Sequence, residues 1–259
     1  MELLGRYWWW PVVLVLVHFG MNGCFGCWEK ERIALLQFEA SIVNYANEYY
    51  FPHWDSVDKE SDCCKWERVK CNITTGRIIQ LTLSSMISYS SGESRGGWYF
   101  NASLFLPFED LQYLELGDNY IWGWVPNEGF ERFSLLNKLE VLHLAANNFN
   151  HSILQSLSGI TSLKKLDLSG NHLNGPIHIK EFKAFSNLED LYLRGNEINA
   201  FVTTSDSIIL TKLQLLDLRA NDFSAQVLES LTAFPSLKTL DLSYNNIEGS
   251  FTTKGKLYH

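Results

Sequence analysis

Beyond Cys71 this chain of 259 residues contains no cysteine; all five, Cys24, Cys27, Cys63, Cys64 and Cys71, lie in its first quarter. Covalent cross-linking is therefore confined to one end. Paired CxxC knuckles are missing too, since only Cys24 and Cys27 have that spacing, which excludes a zinc-ribbon arrangement. Neither a metal nor another cofactor is expected. Basic residues are few and unclustered, 21 Lys and Arg against 29 Asp and Glu for a net charge of −8. That balance excludes the one-sided basic footprint that nucleic-acid binding needs. No apolar run reaches the roughly 20 residues that cross a bilayer.

The longest apolar run, residues 7–20, holds Trp8, Trp9, Trp10 and a Val/Leu stretch with only His18 polar. With Arg6 ahead of it, residues 1–23 read as a secretory signal peptide cleaved after Gly23. An uncleaved anchor is the alternative. In an exported chain the cysteine cluster reads as disulfides. Hydrophobic residues make up 46% and charged residues 19%, the range of a folded globular chain.

The most informative feature is a period. The pattern LxxLxLxxN recurs six times, beginning at Leu111, Leu139, Leu163, Leu188, Leu213 and Leu237, at offsets of 28, 24, 25, 25 and 24 residues. Six copies in register mean a solenoid. Within each copy the middle xLxL is a strand of period 2, so that Leu166 and Leu168 point inward while Lys165, Asp167 and Ser169 point out. One unit cannot bury its own leucines; stacked units make a parallel sheet over a continuous core. The motif asparagines Asn119, Asn147, Asn171, Asn196, Asn221 and Asn245 close the strands, and a carboxamide supplies donors and an acceptor at once. Stacked, they form a buried structural ladder. In the copies that continue through Gly123, Gly175 and Gly249, the glycine permits a turn and the next apolar residue points inward.

Ahead of the repeats, residues 29–50 read as a helix with Leu35, Phe38, Ile42, Tyr45 and Tyr49 on one face, ended by Pro52. Residues 76–83 read as the first strand of the sheet. Residues 84–107 lose the period and read as an irregular coil with a flexible loop at residues 90–97. The expected organisation is a signal peptide at 1–23, a cap at 24–76, a first strand and irregular repeat at 77–110, six repeats at 111–251 and a tail at 252–259.

The residues 27–38 (CWEKERIALLQF), Trp54, and residues 63–71 (CCKWERVKC) resemble the plant-type N-terminal cap of leucine-rich-repeat proteins. The endings at Gly123 and Gly175 resemble the plant-specific repeat, and residues 101–111 (NASLFLPFEDL) resemble plant receptor-like proteins, which lack a kinase domain. The resemblance runs from Cys27 to about Phe251. It implies an α/β fold, a leucine-rich-repeat solenoid with a curved parallel sheet and a helical, disulfide-stapled N-terminal cap. It also implies disulfides pairing Cys27 with Cys63 and Cys64 with Cys71, leaving Cys24 over. The family implies an extracellular ectodomain, secreted or at the cell surface, that binds a peptide or protein ligand, with a co-receptor kinase as a further partner, in defence or developmental signalling. Full members continue through more repeats, a second cap and a membrane helix; this chain stops at His259, which reads as a fragment or truncated product, with membrane attachment only through a C-terminal anchor it does not contain. A secreted inhibitor resembling polygalacturonase-inhibiting proteins is the second reading.

The outward strand positions are the candidate ligand-binding residues: Tyr113, Glu115, His143, Lys165, Asp167, Tyr192, Arg194, Asp217, Arg219 and Asp241. Neighbouring strands lie about 4.8 Å apart, so Asp217 and Asp241 approach the roughly 5 Å carboxylate spacing of a retaining glycosidase. An Asp at this position is common as a solvated strand residue, and nothing in the sequence signals a raised carboxyl pKa. No catalytic residue is expected. Asn72, Asn101 and Asn150 head N-x-S/T sequons, with Asn101 the preferred glycosylation site because it falls in the irregular segment.

Overall fold

In a computed structural model of the chain, the described residues are 26–43, 45, 54, 61–87, 98–203, 210–248, 251–253 and 256–258. The expected signal peptide, Cys24 and the loop at 90–97 lie outside them.

The repeat pattern folds as a sheet of eight short strands: β1 (Val69–Cys71), β2 (Ile78–Thr82), β4 (Tyr113–Glu115), β6 (Val141–His143), β7 (Lys165–Asp167), β9 (Asp190–Tyr192), β11 (Leu215–Asp217) and β12 (Thr239–Asp241), in that order across the sheet. All pairs are parallel except β1 with β2. Residues 76–83 are thus not the sheet's first strand. The edge is β1, which turns back antiparallel from the disulfide cap and shields the end of the parallel stack.

Leucines of successive coils stack without offset: Leu114 faces Leu142, then Leu166, Leu191, Leu216 and Leu240. All but the last of these are fully buried, whereas Leu237, Leu240 and Leu242 are only partly covered. Opposite the sheet the chain returns through short helical turns, including Ala102–Phe105, Phe130–Leu135, Ser152–Ser156 and Ile179–Phe182, whose buried residues Phe105, Phe130, Phe133, Ile153, Leu154 and Phe182 form a second hydrophobic layer. Phe100 stacks on Phe130, their rings 4.9 Å apart, and Phe130 meets Phe149 edge-on.

The asparagines lie just past the C-terminal ends of the strands. Asn171 is typical: its Oδ1 accepts from the Phe149 N–H at 3.0 Å, and its Nδ2 donates to the Leu144 and Leu168 carbonyls, each at 3.0 Å. One carboxamide therefore ties together two coils. Asn147, Asn196, Asn221 and Asn245 repeat the pattern, and Asn119 makes it with Met86, Leu83 and Leu116. The residue before each Asn takes a positive φ, at Asp118, Ala146, Gly170, Gly195, Ala220 and Tyr244. That turn aims the carboxamide inward, and only two of the six are glycine.

Two smaller parallel pairs flank the sheet, β3 (Trp98–Phe100) with β5 (Ile121–Trp124) and β8 (Asn174–His178) with β10 (Glu197–Val202). Part of the segment expected to be irregular is therefore ordered, because Trp98 and Phe100 are buried against the first coils. Gly175 takes a φ of +70° even within strand β8, Gly123 lies within strand β5 with the Tyr99 ring against it, and Gly249 lies outside the described residues. After Gly175 and Gly123, Ile177 is buried and Val125 only half-buried. Of the two flanking tryptophans, Trp122 is exposed and Trp124 packs partly against Phe130.

The cap helix spans Glu29–Ile42, shorter than the periodicity suggested, and Tyr45 already lies in a turn; Tyr49 and Pro52 lie outside the described residues. Its buried face of Ala34, Leu35, Phe38 and Ile42 covers the open end of the core, with Phe38 edge-on to Phe105 at 5.3 Å. Disulfides join Cys27 to Cys63 and Cys64 to Cys71. Asp62 organises both, its Oδ1 accepting the backbone N–H of Cys27 and of Cys64. A buried ion pair locks the helix to the sheet: Arg77 Nε lies 2.9 Å from Glu31, whose other oxygen accepts the Ile78 N–H at 3.1 Å. Trp28 covers the Arg77 guanidinium at 4.3 Å from ring centroid.

Candidate ligand-binding face

The strand register sorts the outward side chains into columns. The central column runs Thr82, Glu115, His143, Asp167, Tyr192, Asp217, Asp241. Beside it run Gln80, Tyr113, Val141, Lys165, Asp190, Leu215 and Thr239. A third column, where the strands end, carries Gly117, Ala145, Ser169, Arg194, Arg219 and Ser243, joined by backbone hydrogen bonds through the residue that follows each. All ten candidate ligand-binding residues thus share one face of one sheet.

Three local contacts pattern that face. At the N-terminal end the Tyr113 hydroxyl donates to Glu115 at 3.1 Å and its ring leans on His143, 5.5 Å between centroids. Burial, with Glu115 beside it, pushes the Tyr113 phenol up to about 12, so it remains a donor at physiological pH. His143 Nδ1 lies 3.5 Å from Asp167 across the strand gap. Burial raises the Asp167 carboxyl, but His143 and the hydroxyl and backbone N–H of Ser169 outweigh it and hold the group below the ordinary carboxylate value. In the middle, the Lys165 ammonium lies 4.8 Å above the Tyr192 ring, a cation–π contact between outward side chains of neighbouring strands.

Toward the last coil Arg219 reaches Asp217 at 3.5 Å and Asp241 at 3.9 Å. The two carboxylates that approach glycosidase spacing therefore have a guanidinium between them. Asp241 is held below the ordinary value by the Ser243 hydroxyl and backbone N–H, helped by Arg219 and Arg194, with partial burial opposing. A general acid needs the reverse shift. Arg194 is exposed between these sites. What this arrangement supplies is fixed charge and aromatic surface: carboxylates kept ionised, a phenol, an ammonium and guanidinium groups, spaced one strand apart.

Sequence reasoning passed over Gln80 and Thr82, which carry the same columns onto β2, and Asp190, in register beside Lys165. The alternation about Leu81 is the signal that marks the first two. Of the sequon asparagines, Asn150 is exposed while Asn72 and Asn101 are half-buried, and in each the side-chain oxygen accepts a backbone N–H two residues on. No group of three or more His, Cys, Asp or Glu positioned for a metal occurs among the described residues.

The chain matches the family model described as the leucine rich repeat N-terminal domain over residues 29–72, and models of the leucine rich repeat over residues 162–182 and 235–250. It is 40% identical over 175 residues to Receptor-like protein 9a of Arabidopsis thaliana, covering 67% of this chain and 18% of that protein. It is 38% identical over 237 residues to Cuscuta receptor 1 of Solanum lycopersicum, covering 87% of this chain and 21% of that one. Among solved structures, the Arabidopsis receptor kinase HAESA in complex with the peptide hormone IDA and the co-receptor SERK1 superposes with a TM-score of 0.60 at 23% identity, over 84% of this chain and 34% of that chain, a likeness of fold. The chain spans about a fifth of the length of the curated relatives it matches. The cap, the repeat and these relatives agree: the chain carries the N-terminal cap and the repeats of leucine-rich-repeat proteins and is similar to part of the receptor-like proteins of plants.

Proposed function

We propose that the chain is an extracellular recognition module, without catalytic activity, that binds a peptide or protein ligand along the outward columns of its sheet. The single observation that carries this reading is the continuous array from Tyr113 to Asp241, in which charged and aromatic groups are pre-positioned by their neighbours rather than buried by the fold. Pre-positioning lowers the ordering cost of binding, and aromatic and Arg side chains dominate interface energetics. The solved complex of HAESA with a peptide hormone and a co-receptor supports the same use of the fold, and the receptor-like relatives support a place at the cell surface in defence or developmental signalling. Asp217 and Asp241 serve as fixed negative charges flanking Arg219, and incubation with cell-wall polysaccharides should release no new reducing ends.

The test is a yeast-display screen of secreted-peptide libraries against the folded chain, followed by variants. Tyr192→Ala or Arg194→Glu should weaken any selected peptide at least 10-fold, the scale of one hot-spot contact of about 1.4 kcal/mol. Lys183→Ala, on the opposite side of the coil, should leave it unchanged. Peptides lost on substitution at Lys183 and indifferent to Tyr192 and Arg194 would place binding elsewhere and overturn the reading.

A further inference from the structure

We propose that Tyr99 is the seat of an N-linked glycan carried by Asn101, its exposed ring packing against the apolar face of the first N-acetylglucosamine. Phe100 between them is fully buried while Tyr99 is 56% exposed, so β3 directs Tyr99 outward, and because the backbone stays extended at Asn101, with φ −113° and ψ 101°, alternation turns Asn101 to that same side. Same-side residues of a strand lie about 6.6 Å apart, within reach of a sugar linked to the carboxamide. The Asn101 side chain is oriented rather than free: its Oδ1 accepts the Ser103 N–H at 3.0 Å, which directs Nδ2, the atom that carries a glycan, to the other side.

The ring itself is braced. Tyr99 pairs with Gly123 across the two-stranded ribbon, and a Cβ at Gly123 would lie 3.5 Å from the ring's Cδ1 and Cε1. The ring thus lies in ordinary contact range of the neighbouring strand, while more than half of the residue stays exposed. Such a ring loses little rotamer freedom on covering a second surface. A pyranose offers a face of weakly positive C–H groups, and an aromatic ring an electron-rich face to receive them. The other two sequons lack this arrangement, with Lys70 and Asn148 at the corresponding position before Asn72 and Asn150.

The modification transfers an oligosaccharide from a polyprenyl-diphosphate donor. The Asn101 Nδ2 forms a bond to sugar C1 as the C1–O bond to the diphosphate breaks, and Nδ2 loses a proton. The donor leaves as the lipid diphosphate, and no oxidant or reductant is needed.

The chain is expressed through the secretory pathway of plant cells with mannosidase processing blocked, and glycopeptides are mapped. Glycans are then trimmed to one N-acetylglucosamine, and melting temperatures are taken for five proteins: wild type, Asn101→Gln, Tyr99→Ala, Tyr99→Phe and the double variant of Tyr99→Ala with Asn101→Gln. Asn101→Gln should lower the melting temperature by about 2 to 4 °C when Tyr99 is present and by clearly less in the Tyr99→Ala background; Tyr99→Phe, which keeps the ring, should behave as wild type. Loss of the Ser103 hydrogen bond is common to both backgrounds and cancels. Equal losses in the two backgrounds, or an unmodified Asn101 beside a modified Asn72 or Asn150, overturn the proposal. All three sites unmodified would overturn it together with the export reading.

Discussion

Substituting Asn171 by Ala removes one rung from the middle of the ladder. The Phe149 N–H loses its acceptor, and the Leu144 and Leu168 carbonyls lose a donor each, all within a site 4% exposed to solvent. A buried polar group left unpaired costs about 1 to 3 kcal/mol. The amide is the expensive loss, because the carbonyls have a second lone pair and a cavity the size of a carboxamide admits some water. The sum is about 3 kcal/mol, which in a chain of this length lowers the melting temperature by roughly 6 to 12 °C. Because each coil touches only its neighbours, the damage should stay local. Hydrogen exchange should accelerate at Phe149 and at His172, whose N–H bonds to the Phe149 carbonyl, while amides of the cap helix keep their protection. Asn245→Ala, in a coil already partly open to solvent, should cost less than half as much. A melting temperature within 1 °C of wild type (roughly 0.3 kcal/mol), with Phe149 exchange unchanged, would refute the view that the carboxamide holds the coils together.

Two further outcomes follow from the same geometry. Ala146→Gly should raise stability by about 1 kcal/mol in chemical denaturation, because Ala146 is exposed and takes a φ of +53°, a conformation costly for any side chain; the same change at Asn148, where φ is not positive, should not. Arg77→Met should destabilise the cap by about 3 to 5 kcal/mol by leaving the Glu31 carboxylate buried without its cation. Burial already pushes the Glu31 carboxyl above its ordinary value, the Ile78 N–H and Arg77 opposing. A raised folded-state value means a penalty present at higher pH and relieved as pH falls, so the Arg77→Met defect should shrink in acid when urea titrations are run from pH 7 to pH 5.

The solenoid was legible because its information is local and repeated. Leu114 through Leu240 and the six asparagines recur at a fixed place in each coil, and a period-2 strand leaves one choice of which face is buried. The columns followed from the same register. Where the period lapses, between residues 84 and 107, the reading as coil failed for Trp98 to Phe100. Their pairing with β5 depends on Gly123 and Trp124, more than 20 residues away, and no local pattern announces it. The cap helix likewise ends at Ile42 although Tyr45 is apolar at the right step, because the Tyr45 N–H bonds back to the Ile42 carbonyl in a tight turn that hydrophobic spacing alone does not mark.

What the sequence determined by itself is the repeat, the buried leucine and asparagine columns and the identity of the outward residues, since each depends on strand alternation and on spacing within one coil. Tertiary structure alone decided which outward groups meet. Arg219 between Asp217 and Asp241, His143 against Asp167 and Lys165 above Tyr192 depend on rotamers chosen across neighbouring strands. The Glu31 and Arg77 pair, 46 residues apart, exists only because the cap helix closes on the sheet. Alternation is enforced by the backbone, whereas side-chain pairing is settled by burial and charge in three dimensions, and a one-dimensional pattern carries only the first.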